Sequence, residues 1–137
     1  MVTQTPTGLK NLVLVVDDDA VISNVIRLKF ERAGLQVQVC SDGQSAWEYL
    51  QDHNVDLMVT DHQMPRMMGV ELCERLRDRS ASSSLPIIML TAKKHDLPID
   101  FATKSSIEAI ISKPFSPNDL LNHVRRTLAA IPPGSKT

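Results

Sequence analysis

The chain has 137 residues, which is the length of one ordinary domain with its own core. Its 15 basic and 16 acidic residues give a net charge of -1 and a pI near 6.4, so nothing in the composition favours a nucleic acid or an anionic membrane as a direct partner. The N-terminal segment MVTQTPTGLK is polar, and the apolar run Leu12 to Val16 falls far short of the ~20 residues of a membrane span. We expect one cytoplasmic domain at 10–131 without membrane insertion, between tails at 1–9 and 132–137.

Short β-branched runs alternate with longer amphipathic stretches along the whole chain. The runs LVLVV, LQVQVC, VDLMVT, IIML and EAIIS predict five strands, with about five helices between and after them. Gly34 is placed to end the first helix, while Ser116 and Pro117 are placed to begin the last. The strands are too uniformly apolar for a sheet with an exposed face. The pattern therefore predicts an α/β domain with a parallel sheet covered on both sides.

Cysteine and histidine show no spacing that is typical of a metal site. Cys40 and Cys73 lie within apolar patterns, so we expect two buried thiols instead of a disulfide or a zinc site. The four histidines share no ligand spacing either. We expect all of them at the surface: His53, His62, His95 and His123.

Polar residues follow four of the five predicted strands, at the edge of an open parallel sheet where ligands gather. The strand ends carry Asp17, Asp18 and Asp19, then Asp61, then Thr91, then Lys113 before Pro114. Asp19 is expected to cap the first helix, and Thr91 or Lys113 alone could be structural. Two like charges ~4 Å apart repel by about 4 kcal/mol at an effective dielectric constant of 20, so converging carboxylates need a cation or must become protonated. A hard divalent ion with oxygen ligands, Mg²⁺ first, meets that requirement.

Four segments, in this order and spacing, resemble the receiver domain of two-component response regulators: VLVVDDDA, DLMVTDHQMPRMMG, LPIIMLTA and SKPFSP. The resemblance covers the chain from about Leu12 to Ile131. It implies a flavodoxin-like (βα)₅ fold whose five-stranded parallel sheet has the order 2-1-3-4-5, with helices on both faces. It also implies that the domain accepts a phosphoryl group, which a sensor histidine kinase or a histidine phosphotransfer protein supplies. Such a domain signals by protein contact and promotes only its own phosphorylation and dephosphorylation, so it is not an enzyme in the ordinary sense.

The resemblance assigns roles to individual residues. It implies that Asp61 is the phosphoacceptor. It also implies that Asp18, Asp61 and the backbone carbonyl of Gln63 hold Mg²⁺, on which Asp17 acts through water. By the same resemblance Lys113 pairs with phosphoryl oxygens, and Thr91 donates a hydrogen bond to one of them. Ala92 is small and leaves the acceptor open, and Lys93 is within reach of the phosphoryl group. A cis bond between Lys113 and Pro114 is also implied. No output segment is recognised after Ile131, so we expect a stand-alone receiver, monomeric or weakly dimeric, with an unidentified downstream protein target.

The sequence departs from the family pattern on the output side of the domain. Position 110, which commonly carries an aromatic switch residue, is Ile110, and the usual Ala-Gly before the fifth strand is replaced by TKSSIEA. Pro98 falls where the fourth helix should begin, which predicts a late and short helix. We expect Ile110 to stay largely buried, and the switch to run from Thr91 through the loop that ends at Pro98.

Two other functions are compatible with parts of this pattern. DDDAV fits the opening motif of haloacid-dehalogenase-like phosphatases, with Asp17 as the nucleophile and Asp19 as the acid/base, but the region after Lys113 lacks the second acidic pair and Asp61 would have no role. The altered output face favours a different alternative, a receiver-like docking module that works without phosphorylation.

Overall fold

A computed structural model describes residues 11–130, in which five strands and five α-helices alternate. The strands are β1 (Leu12–Val16), β2 (Gln36–Cys40), β3 (Leu57–Asp61), β4 (Ile87–Thr91) and β5 (Ala109–Ser112). The helices are α1 (Ala20–Arg32), α2 (Gly43–Asp52), α3 (Gly69–Arg77), α4 (Phe101–Lys104) and α5 (Pro117–Ala129). The expected tails, at 1–9 and 132–137, lie outside the described residues.

All strand pairs are parallel, and the strand order is β2-β1-β3-β4-β5. The fold class and the strand order expected from the sequence are therefore confirmed. Asp61 at the end of β3 is in register with Leu90, and Thr91 at the end of β4 is in register with Ser112. Because the carboxyl ends of parallel strands meet at one edge, the residues that follow β1, β3, β4 and β5 are brought together there.

Two apolar clusters, one on each face of the sheet, form the core. Residues of β3 and β4 are buried throughout, since helices cover both faces of these central strands. The first cluster joins Leu14, Met58 and Met89 to α2, α3 and Phe101, and the second joins Val13, Val59 and Leu90 to α1 and α5. Cys40 and Cys73 are free and buried, as the sequence predicts.

The helix ends follow local sequence signals. The Asp19 carboxylate accepts hydrogen bonds from the backbone N–H groups of Val21 and Ile22, and the Ser116 hydroxyl accepts one from Asp119 N–H. Both side chains are thus N-caps, as predicted. Gly34 follows α1 with φ 93°, a conformation that glycine adopts without strain.

The fourth helix is a single turn of four residues, Phe101–Lys104, as Pro98 predicts. A 3₁₀ turn over Lys94–Asp96 precedes it. The expectation that Ile110 is largely buried is met only in part, because Ile110 packs on the first cluster but is half-buried. β5 is an edge strand, and so short a helix beside it leaves part of the Ile110 side chain uncovered.

Among the described residues, none of the helices combines the length and the apolar character of a membrane span.

Candidate functional site

Three carboxylates lie together at the carboxyl edge of the sheet. One oxygen from each of Asp17, Asp18 and Asp61 lies within 4.8 Å of the others. Asp17 and Asp61 are buried, while Asp18 is exposed. A loop turn holds Asp17 in place, since its Oδ1 accepts a hydrogen bond from Asp19 N–H at 2.9 Å. Asp19 itself points into the cap of α1 and is not part of the cluster.

Lys113 places a positive charge beside these carboxylates at the edge of the sheet. Its Nζ lies 3.1 Å from Asp61 Oδ1 and 3.3 Å from Asp17 Oδ2, so one ammonium group bridges carboxylates from β3 and from the end of β1. The backbone N–H of Lys113 donates to Thr91 O, which fixes the turn after β5. The Lys113–Pro114 bond is cis, as the resemblance implies.

The ionisation of these groups reflects their burial and their mutual charges. Burial and the negative charge of Asp17 raise the pKa of Asp61 above its ordinary value, and Lys113 opposes them only in part. Burial acts to lower the pKa of Lys113, but its hydrogen bond to Asp61 and the charges of both carboxylates outweigh burial and raise that pKa. Lys113 contacts two of the three clustered carboxylates, so its single positive charge leaves the cluster with an excess of acidic groups.

Oxygen ligands with excess negative charge are what Mg²⁺ requires, and the three carboxylates fit that ion. Gln63 lies two residues after the end of β3, and its carbonyl oxygen receives no backbone hydrogen bond within residues 11–130. The donor set at this edge consists of oxygen atoms, with neither a thiol nor an imidazole among the three clustered side chains. A hard divalent cation therefore suits it better than a zinc ion.

Thr91 lies at the end of β4 with 1% of its surface exposed. Its Oγ1 accepts a hydrogen bond from Lys93 N–H at 3.0 Å, which leaves the hydroxyl proton available to another acceptor. Ala92 and Lys93 are exposed, so the loop after β4 presents a methyl group and an amine at the open side of the edge.

The loop between β3 and α3 contains residues whose environment the sequence does not reveal. His62 was expected at the surface and is instead buried, with only 5% of its surface exposed. Burial lowers the pKa of its imidazole, against the charges of Asp61 and Asp96. The expectation is wrong: the imidazole lies inside the fold, close enough to Asp96, 34 positions later in the chain, for that charge to act on it. His53 and His95 are exposed and His123 is half-buried, so His62 is the exception among the four.

Arg66 in the same loop forms an ion pair with Asp42, the residue that caps α2. Sequence reasoning assigned neither residue to the site. The two lie 24 positions apart, and although Arg66 lies inside the segment DLMVTDHQMPRMMG that the resemblance uses, the resemblance assigns it no role.

A family model described as the response regulator receiver domain matches residues 13–125, which include all the clustered side chains and every strand residue except Leu12 at the start of β1. The chain belongs to this family. Receiver domains are phosphoryl-accepting signalling modules, not enzymes in the ordinary sense, and they interact with histidine kinases and downstream targets. They bind Mg²⁺ at an acidic site, which corresponds here to the carboxylate cluster. Membership of this family therefore excludes the alternative of a haloacid-dehalogenase-like phosphatase.

Several curated proteins resemble this receiver domain in sequence. The DNA-binding response regulator MtrA of Mycolicibacterium paratuberculosis is 33% identical over 120 residues, which are 88% of this chain and 52% of MtrA. The transcriptional regulatory protein PhoP of Bacillus subtilis is 33% identical over 116 residues, 85% of this chain and 48% of PhoP. The receiver domain thus spans about half the length of the curated relatives it matches.

Solved receiver domains share the fold over nearly their whole length. The chemotaxis response regulator CheY4 of Vibrio cholerae is 29% identical with a TM-score of 0.79, covering 86% of this chain and 98% of CheY4. The receiver domain of the Francisella response regulator 1452 is 32% identical with a TM-score of 0.79, covering 88% and 98%.

Proposed function

We propose that this receiver domain accepts a phosphoryl group on Asp61 from a sensor histidine kinase or a histidine phosphotransfer protein, with Mg²⁺, and signals in the cytoplasm by binding a downstream protein. The observation that carries the proposal is the position of Asp61. It is a buried carboxylate at the end of a central strand, within 4.8 Å of two further carboxylates and in contact with the lysine. Phosphoryl transfer depends mainly on positioning and on charge neutralisation, and this arrangement supplies both.

In the transfer, a carboxylate oxygen of Asp61 attacks phosphorus in line with the bond between phosphorus and the donor imidazole nitrogen. The new oxygen–phosphorus bond forms as the nitrogen–phosphorus bond breaks, and the donor nitrogen keeps the electron pair. The product is an acyl phosphate on Asp61 and a free imidazole on the donor. Bound Mg²⁺ would neutralise phosphoryl oxygens and would hold them in line.

Each neighbouring residue has a role in this proposal. Asp18, Asp61 and the Gln63 carbonyl hold Mg²⁺, and Asp17 acts on it through a bound water. Lys113, which pairs with Asp61 Oδ1 before phosphorylation, transfers that contact to a phosphoryl oxygen. Thr91 donates its hydroxyl proton to another phosphoryl oxygen, since the hydroxyl already accepts a hydrogen bond from the backbone.

Access and signalling belong to the loop after β4. Ala92 is exposed and too small to block the approach of a donor protein, and the exposed amine of Lys93 can reach a phosphoryl group. We infer that movement of Thr91 and Lys93 reorganises this loop up to Pro98, while Ile110 acts as a packing residue of the switch and not as a swinging aromatic ring. As a monomer or weak dimer, the domain presents this loop to its target.

A phosphorylation-independent docking module is the second candidate, favoured by the one-turn α4 and by the aliphatic residue at position 110. Incubation with acetyl phosphate and Mg²⁺, followed by intact-mass measurement, separates the two. The proposed function requires one added phosphoryl group, whereas the docking module requires none.

A further inference from the structure

The loop between β3 and α3 contains a strained turn at Arg66. The backbone N–H of Met67 donates to Pro65 O at 2.8 Å, which closes a three-residue γ-turn with Arg66 at its centre. Arg66 has φ 68°, in the left-handed region that side chains other than glycine adopt at a cost. A γ-turn with positive φ at the centre is the rare and strained form. Such a turn persists only where its surroundings hold it in place.

The Arg66 side chain helps to keep the turn in place through a forked ion pair, in which two of its nitrogens bind the two carboxylate oxygens of Asp42; we call this pair the Arg66 fork. Its Nε lies 3.2 Å from Asp42 Oδ2, and its second terminal nitrogen donates to Asp42 Oδ1 and to Ser45 Oγ, both at 3.2 Å. Two parallel bonds from a guanidinium to a carboxylate fix orientation as well as distance. The Arg66 side chain is 57% exposed, but the Asp42 side chain is only 12% exposed, so one partner of the pair is anchored in the fold.

Asp42 is a rigid anchor because it caps α2. Its Oδ1 accepts the backbone N–H of Ser45 at 2.7 Å. This bond holds the pKa of the Asp42 carboxyl below its ordinary value against the opposing effect of burial. The Ser45 hydroxyl and then the hydrogen bond and charge of Arg66 act in the same direction as the bond. Asp42 therefore stays ionised at neutral pH and keeps the fork with Arg66.

The same two loops also meet through their backbones. A Cβ on Gly43 would overlap Met67 O and would lie 2.7 Å from Met67 Cβ, so only glycine permits this approach. Met64 and Met67 are buried on either side of the turn, and Gly69 N–H donates to His62 O at 2.8 Å across the base of the loop. The segment from His62 to Gly69 is thus held against the start of α2 by two contacts, the close approach of Met67 to Gly43 and the ion pair of Arg66 with Asp42.

We propose that Arg66 is a positioning residue for the metal site: its fork onto Asp42 fixes the loop in which Gln63 presents its backbone carbonyl to Mg²⁺. Gln63 is three residues before Arg66 and is exposed, with no side-chain anchor of its own in the described structure. A backbone ligand can be held only through its neighbours in the chain. This inference rests on the proposed function, since it assigns Gln63 to the metal.

Two substitutions test the fork without dismantling the fold. Arg66→Gly removes the guanidinium and allows positive φ without strain, so the metal-free unfolding midpoint should stay close to that of the parent. Asp42→Asn keeps a good N-cap on α2 but removes the charge that Arg66 binds. Arg27→Gln is the matched control, because Arg27 forms an exposed ion pair with Glu31 on α1, away from the loop.

Calorimetric titration with Mg²⁺ alone is the measurement, made on the full chain. Loss of a partner outside the ligand shell weakens metal binding by 10–100-fold, and for Arg66→Gly we expect a Kd about tenfold above that of the parent. Asp42→Asn should raise Kd by less, and the double variant should bind no more weakly than Arg66→Gly. The control should bind Mg²⁺ as the parent does. Amide exchange of Met67 in the metal-free protein should be faster in both loop variants.

Each other result overturns the inference. Unchanged Mg²⁺ affinity in Arg66→Gly excludes a positioning role. Losses in the two single variants that add in the double variant show that Arg66 and Asp42 act independently, because residues of one interaction give non-additive effects. A parent protein that binds no Mg²⁺ overturns the proposed function, and with it this inference, whereas a parent that binds Mg²⁺ beside unaffected loop variants overturns the inference alone.

Discussion

Lys113 Nζ lies between Asp17 Oδ2 and Asp61 Oδ1, at 3.3 Å and 3.1 Å, and so joins two carboxylates that would otherwise repel across the edge of the sheet. In the metal-free protein Lys113 neutralises part of the carboxylate charge that a bound metal ion would neutralise. Mg²⁺ and Lys113 therefore compete for the same negative charge.

This competition predicts opposite effects for Lys113→Met on the metal-free and metal-bound protein. Without Mg²⁺, the variant should lose about 1.5–3 kcal/mol of unfolding free energy, the range for a hydrogen bond to a charged group. With Mg²⁺ the loss should shrink, since the ion neutralises the unpaired carboxylates. Urea unfolding with and without Mg²⁺ measures both. An equal loss under the two conditions would mean that Lys113 and the metal do not share this charge.

Mg²⁺ should stabilise the folded protein before any phosphorylation, because the carboxylates repel whether or not a phosphoryl group is present. Binding to the folded state adds RT ln(1 + [L]/Kd), about 1.4 kcal/mol at ten times Kd. The melting temperature of the parent should rise with Mg²⁺ and that of Asp18→Ala should hardly move. Asp18→Ala should also be slightly more stable than the parent without metal, since one repelling charge is gone. Equal shifts in both proteins would remove Asp18 from the metal site.

Phosphorylation should change the loop after β4 more than the edge strand β5. In the proposed function Thr91 and Lys93 contact the phosphoryl group, while Ile110 is aliphatic and already half-buried. A ligand shifts a conformational equilibrium only through its differential interaction with the two states. Amide NMR with beryllofluoride, a phosphoryl mimic, should show large shifts from Thr91 to Pro98 and modest ones around Ile110. Shifts at Ile110 and along α5 as large as those at Thr91 would relocate the switch.

The contact between Gly43 and Met67 predicts unequal costs for two glycine substitutions. Gly43→Ala places a Cβ against backbone atoms and should cost about 1–3 kcal/mol of unfolding free energy, as overpacking does. Gly34→Ala has nothing within 4 Å of the new Cβ but forces alanine to φ 93°, which costs roughly 1–2 kcal/mol. Only Gly43→Ala should also weaken Mg²⁺ binding, since it displaces the loop that contains Gln63. Urea unfolding and Mg²⁺ titration of both variants test this difference.

The pattern of the sequence predicts the strands, a parallel sheet and the convergence of acidic residues, because these follow from short apolar runs and the residues that end them. The strand order is implied only by the family resemblance. Each strand is a short apolar run, and Asp17, Asp61 and Thr91 each stand where a run ends. The capping role of Asp19 is equally local, since its carboxylate binds backbone groups two and three positions ahead.

What the sequence does not predict depends on segments that are distant along the chain. His62 follows Asp61 in a polar stretch, and its burial depends on packing that no neighbouring residue indicates. The Arg66 fork joins residues 24 positions apart, and it depends on the register that brings two loops together. Ile110 is half-buried because β5 is an edge strand beside a one-turn helix, and the extent of that cover is a tertiary property.

The central claim is that Asp61 receives the phosphoryl group. The most direct test is the intact mass of the protein after incubation with acetyl phosphate and Mg²⁺, for the parent, for Asp61→Asn, and for Asp78→Asn as an exposed-aspartate control. The parent and the control should each gain one phosphoryl group, and Asp61→Asn should gain none. Phosphorylation of Asp61→Asn to the same extent as the parent, or its absence from the parent, would contradict the claim.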